Sequence, residues 1–270
     1  MTTFFKDKVI VITGGSDGIG KALVHELLLL GAKVATCGRN HDKLYQLQIN
    51  HPSFHLHTMV ADMAVVSDCE RFIQSCIATF GTIDILINNA GISMRSLFKD
   101  LDITVMQQMM DVNFFGAMHC TKFALAEIIK NKGHIISVSS IAGNRGLPGR
   151  SGYSASKFAL EGFMESLRTE LLHSNVHVLT VAPGFTSSNI RNVALNSDGI
   201  SHGESPMDED KMMTSETCAI YIIKAIEKKR RKLILTFTGK RTVFMNKFFP
   251  KLTDKLTYKY FFDTNGFLKK

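Results

Sequence analysis

The sequence predicts a single α/β domain built on a parallel β-sheet. Short apolar segments typical of buried strands alternate with longer helical patterns along most of the chain. A glycine-rich turn joins the first strand to the first helix, and Asn/Gly or Pro/Gly pairs follow later strands. In sheets of this kind, ligands bind outside the carboxyl ends of the strands. We therefore expect the functional residues to follow the strands.

The composition is typical of one cytosolic domain. The 270 residues are 45% hydrophobic, which suffices for a sizeable core. No CxxC pair occurs, so neither a disulfide framework nor a metal site is predicted. The first residues lack the pattern of a secretory signal, and no apolar run approaches the ~18 residues that a membrane-spanning helix needs. We expect a cytoplasmic location.

Positive charge is concentrated in the C-terminal tail. The formal net charge is +8, but residues 228–270 carry thirteen Lys and Arg against two Asp, a local balance of +11. Residues 1–227 therefore have a net charge of −3. Any function of the basic charge belongs to the tail.

The first strand, residues 8–13, leads into the turn TGGSDGIG and then into a helical pattern at 21–30. This order directs backbone N–H groups and a helix N-terminus toward a phosphate. Gly14 permits the tight turn, whereas Gly18 and Gly20 let the backbone approach a pyrophosphate and let the helix pack on the strand. The turn is a candidate dinucleotide phosphate site.

The second strand, residues 33–37, ends in Gly38-Arg39. NAD-binding units usually carry an acidic residue near this point, which accepts the ribose 2′-hydroxyl. Arg39 can instead pair with a 2′-phosphate. This favours NADP(H) as the cofactor, and the alternative is a solvated arginine at a strand end.

Polar residues follow the next two strands as well. Asp62 can accept a hydrogen bond from an adenine amino group, or it can cap the helix that follows. Asn88 and Asn89 precede Gly91, and they either fix this turn or line a cofactor site as well. The predicted elements are a helix at 41–50, a strand at 54–60, a helix at 67–80 and a strand at 83–87.

A long helical pattern at residues 104–130 contains Asn113. Asparagine is a poor interior helix residue because its amide competes for backbone groups. Among apolar neighbours it should have a hydrogen-bonding partner. The strand at 133–139 then places Ser140 at its carboxyl end, the same edge of the sheet as the glycine turn.

Tyr153 and Lys157 are four positions apart in the next predicted helix, residues 152–173, and so share one face. A cation beside the phenol favours tyrosinate and lowers the tyrosine pKa from its usual value of about 10. We hypothesise that Tyr153 exchanges a proton near neutral pH. The alternative is an ordinary exposed helix start.

A loop of about thirty residues, 185–214, follows the strand at 176–182 and Pro183-Gly184. Connections of this length are uncommon in compact domains unless they are lids or binding loops. It holds Met207, Met212 and Met213 among polar residues. We interpret it as a substrate lid, with disorder as the alternative, ahead of a helix at 215–229.

The tail combines basic and apolar residues. A strand is predicted at 233–237, and from Pro250 a helix would place lysines on one stripe and apolar residues on another. Such a helix can cap the core, face a second subunit or lie on an anionic membrane. We favour packing over membrane contact, and nucleic-acid binding is not expected because no reading motif accompanies the charge.

Taken together, these motifs resemble the short-chain dehydrogenase/reductase family over residues 6–236. The matching elements are TGxxxGxG at 13–20, NNAG at 88–91 and YxxxK at Tyr153 and Lys157. The resemblance implies a doubly wound Rossmann-type fold: a seven-stranded parallel sheet of order 3-2-1-4-5-6-7, flanked by helices. It also implies NADP or NAD across the strand tips, and dimers or tetramers. We divide the chain into a catalytic domain, 1–240, and a C-terminal helical extension, 241–270.

The resemblance also implies roles for individual residues. Tyr153 is the general acid in reduction or the base in oxidation, and Ser140 binds the substrate oxygen. Lys157 binds the nicotinamide ribose and lowers the tyrosine pKa, and Asn113 holds a water in the proton relay. The expected cofactor-binding residues are Gly14, Ser16, Asp17, Gly18, Ile19, Gly20, Arg39, Asp62, Met63, Asn89, Ala90, Gly91, Tyr153, Lys157, Pro183, Gly184 and Ser188.

Two features depart from the family pattern. Asp17 stands where many relatives have a small residue, and a carboxylate near a phosphate turn is tolerable only if it points away or caps the helix. Ser188 occupies the family's usual threonine position after Pro183-Gly184, and it keeps a hydroxyl for the nicotinamide amide. The tail beyond 237 is not part of the common pattern and loosely resembles the extensions of lipid- and steroid-handling members.

We expect an NADP(H)-dependent oxidoreductase that reduces a small carbonyl compound, or oxidises the alcohol. One alternative is a cofactor-binding interaction module without turnover. Another is a membrane-surface reductase of a lipid ketone.

Overall fold

A parallel β-sheet organises the chain, and the computed structural model describes residues 3–205 and 208–269. The strands are β1 (Val9–Thr13), β2 (Lys33–Gly38), β3 (Leu56–Val60), β4 (Ile85–Asn88), β5 (His134–Val138), β6 (His177–Ala182) and β7 (Lys232–Ile234). Within the described part of the chain they form one seven-stranded sheet of order β3-β2-β1-β4-β5-β6-β7. Every neighbouring pair is parallel. The predicted fold class is confirmed.

Helices cover both faces of the sheet. They are α1 (Gly18–Leu29), α2 (His41–Ile49), α3 (Val66–Phe80), α4 (Ile103–Met110), α5 (Gly116–Lys130), α6 (Ser151–Glu170), α7 (Ser215–Glu227), α8 (Phe237–Phe248) and α9 (Pro250–Phe261). One apolar cluster joins α1 and α7 to the sheet, and a second joins α3, α5 and α6 to its other face. Strands buried on both faces read as continuous apolar runs, which is why they were recognisable in the sequence.

The helix predicted at 104–130 is two α-helices joined by a π-helical turn. α4 ends at Met110, the π turn covers Asp111–Phe115, and α5 continues from Gly116. Turns of this kind are rare and occur often at functional sites. Asn113 lies at the middle of this turn and is buried.

The end of the sheet differs from the prediction of a strand at 233–237. β7 ends at Ile234, and α8 begins at Phe237. Thr236 has a φ of 64°, outside the strand region, and its hydroxyl accepts a hydrogen bond from the Gly239 N–H at 3.0 Å. This cap ends the extended backbone and starts a helix that the sequence analysis did not identify.

The tail is attached to the domain through polar contacts. The Arg145 guanidinium donates to Asp254 at 2.7 Å and to Asn246 at 3.0 Å. The boundary expected at residue 240 falls inside α8. Of the residues in α9, Thr253 is buried, whereas the predicted apolar stripe stays between 43% and 56% exposed: Phe248, Leu252, Leu256 and Tyr260. This stripe does not pack into the core of its own chain.

Candidate active site

The carboxyl ends of the strands open into a cavity of about 640 Å³. Every residue of the expected cofactor set lines this cavity, and so does Ser140. Asn113 lies behind the cavity wall rather than in it. The residues that the sequence analysis placed at one edge of the sheet are therefore brought together.

The glycine turn fits a pyrophosphate. Gly14 has a φ of 70° and sits so close to the next turn that a Cβ there would lie 2.9 Å from the Ala90 Cα. A Cβ on Gly20 would overlap the Gly14 carbonyl oxygen and the Asn89 amide. Within the described residues, the N–H groups of Ile19 and Gly20 have no protein acceptor, as is usual in the first turn of a helix. They are the donors that a phosphate requires.

Asp17 caps α1, which accounts for a carboxylate beside a phosphate turn. Its Oδ1 accepts from the Gly18 N–H at 2.8 Å, and its Oδ2 forms an ion pair with Lys43. Burial raises the pKa of Asp17, but hydrogen bonds from Lys43 and the Gly18 N–H outweigh it, so the pKa lies below its usual value. The negative charge of Asp17 is thus stabilised by Lys43 and by the Gly18 N–H.

Asn89 fixes the turn and lines the cavity. Its Nδ2 donates to the carbonyl oxygens of Thr13 and Gly14, each at 3.0 Å. Asn88 is directed away and donates to the Thr121 hydroxyl at 2.9 Å. Asn89 therefore fixes the turn and also lines the cavity.

The end of β2 presents a hydroxyl and a guanidinium. The Arg39 side chain is 65% exposed and its Nη1 lies 4.0 Å from Asp62 Oδ2. A Cβ on Gly38 would lie 2.7 Å from the Ser16 Oγ. Asp62 Oδ1 accepts from the Ala64 N–H at 2.9 Å. It does not cap α3, whose N-cap is Val65 without a side-chain hydrogen bond.

Tyr153, Lys157 and Ser140 meet between β5 and the first two turns of α6. The Lys157 Nζ lies 5.8 Å from the centroid of the Tyr153 ring and donates to the Val138 carbonyl at 3.0 Å. Ser140 follows β5 and is close enough to Tyr153 to donate a hydrogen bond to the phenolate oxygen. Tyr153 and Lys157 therefore share one helix face, as expected.

The pKa of Tyr153 differs from the prediction. Burial raises it above the usual value, against the lowering effect of the Ser140 hydrogen bond and the charges of Arg150 and Arg191. Lys157 is not among the groups that lower it. The prediction that Lys157 makes this phenol acidic is therefore wrong for this structure, because desolvation favours the neutral phenol.

Burial also acts on Lys157. Its side chain is 3% exposed, and burial lowers its pKa to about 8, against the opposing charge of Glu161. An ammonium with a pKa of about 8 stays largely protonated at pH 7, but it exchanges its proton far more readily than an exposed lysine does. It can therefore take part in proton transfer as well as carry charge.

Asn113 has the partners expected of a buried amide. Its Oδ1 accepts from the Ile92 N–H at 2.8 Å, and its Nδ2 donates to the Ile92 carbonyl at 3.0 Å and the Ser156 hydroxyl at 2.9 Å. A Cβ on Gly91 would lie 3.1 Å from its Oδ1 and 3.4 Å from the Lys157 Nζ. The amide thus holds the NNAG turn against α6.

The loop after β6 lies over the cavity. Arg191 is buried and pairs with Glu209 through two hydrogen bonds of 2.5 Å, which lower the Glu209 pKa to about 2. The Ser188 N–H also donates to Glu209, at 3.3 Å. Met207, named in the sequence analysis, lies outside the described residues. The described parts of the loop are tied into one segment that covers the site.

A second group of cavity residues was not predicted from the sequence. They come from the turns after β4 and before α6, from the loop after β6 and from the tail, and include Ser93, Arg150, Thr186, Arg241, Met245 and Leu256. Arg150 was detectable, because it lies three positions before Tyr153. Arg241 and Met245 had no signal because α8 was not predicted.

The fold, the glycine turn and the Tyr/Lys pair in one cavity define a dinucleotide-binding α/β enzyme. A family profile described as short chain dehydrogenase matches residues 8–198. Dehydrogenase/reductase SDR family member 7B of Mus musculus is 32% identical over 260 residues, covering 92% of this chain and 80% of that protein. Dehydrogenase/reductase SDR family protein 7-like of Anopheles gambiae is 33% identical over 245 residues, covering 88% and 77%.

Solved structures share the fold. A short-chain dehydrogenase/reductase of Burkholderia phymatum in complex with NAD has a TM-score of 0.82 at 19% identity, covering 93% of this chain and 96% of its own. An alcohol dehydrogenase of Thermococcus sibiricus complexed with 5-hydroxy-NADP has a TM-score of 0.73 at 21% identity, covering 84% and 94%. The chain belongs to the short-chain dehydrogenase/reductase family. It is an oxidoreductase that acts on CH–OH or C=O groups with a nicotinamide cofactor.

The buried Lys157 predicts a pH dependence of stability. With a folded-state pKa of about 8 and an unfolded value near 10.5, the unfolded chain binds more protons between these two values, so stability rises with pH there. Denaturant unfolding across this range should show the wild type gaining about 3 kcal/mol relative to Lys157→Met. The exposed Lys122→Met serves as control and should follow the wild type. Parallel curves for wild type and Lys157→Met would contradict the assignment.

Proposed function

We propose that the chain is an NADPH-dependent reductase of ketones, with Tyr153 as the general acid. The observation that carries this proposal is the presence of Tyr153, Ser140 and Lys157 in the same cavity as the glycine turn. The printed names of the relatives, dehydrogenase/reductase, are in line with it.

The protonation state of Tyr153 supports reduction as the direction of the reaction. A phenol is protonated at neutral pH at its usual pKa of about 10, and burial raises the Tyr153 pKa further; a proton donor is what reduction of a carbonyl requires. NADPH, when bound, supplies the hydride. Ser140 donates a hydrogen bond to the carbonyl oxygen, and Tyr153 gives its proton to the oxygen as negative charge develops there.

Lys157 and Asn113 support this proton transfer. The Ser140 hydrogen bond favours the phenolate that is left behind, and the low Lys157 pKa allows Lys157 to return a proton. Asn113 fixes the Ile92 backbone beside Lys157. A water held there by Asn113 remains part of the proposal, as does the homodimer or homotetramer expected from the family.

Replacing Tyr153 tests the proposed acid. Tyr153→Phe keeps the ring but removes the proton, so ketone reduction should fall by about 10²- to 10⁴-fold in kcat, while NADPH binding measured by fluorescence stays intact. Tyr45→Phe, an exposed tyrosine on α2, is the control. Unchanged turnover in Tyr153→Phe would reject the role. NADPH binding without turnover of any ketone by the wild type would instead support an interaction module.

Arg39 is proposed to select NADPH over NADH. Its exposed guanidinium and the Ser16 hydroxyl at the end of β2 suit a 2′-phosphate. In Arg39→Ala the KM for NADPH should rise about 10- to 100-fold, with the KM for NADH unchanged. Arg71→Ala removes the same charge from α3 and should have no effect. An equal change for both cofactors would contradict the assignment.

The tail supports a second candidate, a reductase that works on a membrane surface. No described helix is long and apolar enough to cross a bilayer, but α8 and α9 expose aromatic and leucine side chains next to lysines. The exposed set includes Phe244, Phe248, Phe249, Leu252, Tyr258 and Tyr260. A face of this composition can lie at the interface of an anionic bilayer. Leu256 and Tyr260 also line the cavity, so an apolar ketone could enter from that side.

Vesicle flotation tests the membrane candidate. The chain should float with phosphatidylcholine vesicles that contain phosphatidylserine and not with phosphatidylcholine alone. Leu252→Ser combined with Phe248→Ser should abolish flotation, whereas Leu172→Ser, at an exposed leucine after α6, should not. A chain that does not float, and whose dimer in solution dissociates in the Leu252→Ser and Phe248→Ser variant, would assign this face to a second subunit.

A further inference from the structure

Arg150 is a cationic group that the mechanism above does not use. It is the residue before the first turn of α6, three positions before Tyr153, and it is partly buried in the wall of the same cavity. Its Nη1 donates to the Ser93 hydroxyl at 2.7 Å. Ser93 is buried, so the guanidinium is held in a fixed position.

Arg150 has no carboxylate partner among the residues that the structure describes. Two other arginines near the site do: Arg191 pairs with Glu209, and Arg145 with Asp254. Burial, together with the like charges of Arg191 and Arg95, lowers the pKa of Arg150. A desolvated cation without a counter-ion is unfavourable unless a negative group joins it.

A structural role at the helix start does not explain this residue. Arg150 is the N-cap of α6 and makes no side-chain cap hydrogen bond. A positive charge at a helix N-terminus also lies at the unfavourable end of the helix dipole. Its backbone is held independently of the side chain, because the Arg150 N–H donates to the Leu147 carbonyl at 3.1 Å and the Arg150 carbonyl accepts from the Ser154 N–H at 2.8 Å. Apart from the hydrogen bond to Ser93, the N–H groups of the guanidinium are therefore left to bind a ligand.

We propose that Arg150 binds an anionic group of the substrate, a carboxylate or a phosphate, and so makes this site selective for acidic ketones. This inference rests on the proposed reductase function. Because Arg150 and Tyr153 line one cavity, the acidic group lies near the carbonyl that Tyr153 protonates. The planar fork of arginine suits both anions. Phe185, Met245 and Leu256 in the same cavity accommodate an apolar remainder.

Matched substrates test the proposal. One pair is an aliphatic keto acid and its methyl ester, and the other is a hydroxyketone phosphate and the free hydroxyketone. The wild type should prefer one or both acidic members in kcat/KM, and the pair that shows the preference identifies the anion. Arg150→Gln should lower kcat/KM for that acid by about 10- to 100-fold more than for its neutral partner, whose smaller change reflects the effect of the Arg150 charge on the Tyr153 pKa. Arg150→Lys, which keeps the charge but not the fork, should recover part of the loss.

Arg95→Gln is the control for charge alone. Arg95 lies near Arg150 and contributes to its electrostatic environment, but it is not part of the cavity wall, so the preference for the acid should persist. Equal kcat/KM for acid and neutral partner in the wild type would overturn the proposal. An equal loss for both partners in Arg150→Gln would do the same, because it indicates a structural role.

A binding measurement separates this inference from the proposed function. Calorimetry with wild type and NADP⁺ should show decanoate binding, weaker binding of decanol, loss of the difference in Arg150→Gln, and a reduced difference in Arg150→Lys. If no ketone is reduced but decanoate binds through Arg150, the reductase function fails and the anion site stands. If ketones are reduced through Tyr153 but decanoate and decanol bind equally, the anion site fails and the function stands.

Discussion

Desolvation between β5 and α6 is the constraint on which the chemistry of this site depends. It raises the pKa of the Tyr153 phenol and lowers the pKa of the Lys157 ammonium. The shifts have opposite directions, but both favour the neutral form of the group. The first two turns of α6 thus bring two desolvated titratable groups to one place, and the Val138 carbonyl holds the Lys157 ammonium by a hydrogen bond.

Much of this arrangement could be read from the sequence. The strands were visible because both faces of the sheet are buried, and the glycine turn, NNAG and YxxxK follow strands or start helices. The direction of the Tyr153 pKa was not visible, because it depends on how deeply tertiary packing buries the ring. Spacing placed Lys157 beside the tyrosine, but it gave no measure of the desolvation that opposes its charge.

Other features depended on contacts distant in the chain. Arg191 and Glu209 are eighteen residues apart, and their pairing orders a loop for which local propensity gave only a lid or disorder. Asp17 caps α1 as one of the two expected arrangements, but its ion pair with Lys43, which belongs to another helix, was not foreseen. The start of α8 depended on the unusual backbone of Thr236, which no pattern of apolar residues indicates.

The hydrogen bonds of Arg145 attach the tail to the rest of the domain, and this attachment bears on how members of the family can differ in substrate. Part of the substrate wall comes from residues after the last strand, attached to the catalytic core by Arg145, Asn246 and Asp254. The far end of the chain also returns to the core, where the Arg95 guanidinium donates to the Lys269 carbonyl at 2.5 Å. The cavity wall therefore combines residues beside Tyr153 with a terminal stretch that lies apart from them in the chain. Exchange of the terminal stretch between relatives can change what is reduced while the reducing apparatus stays intact.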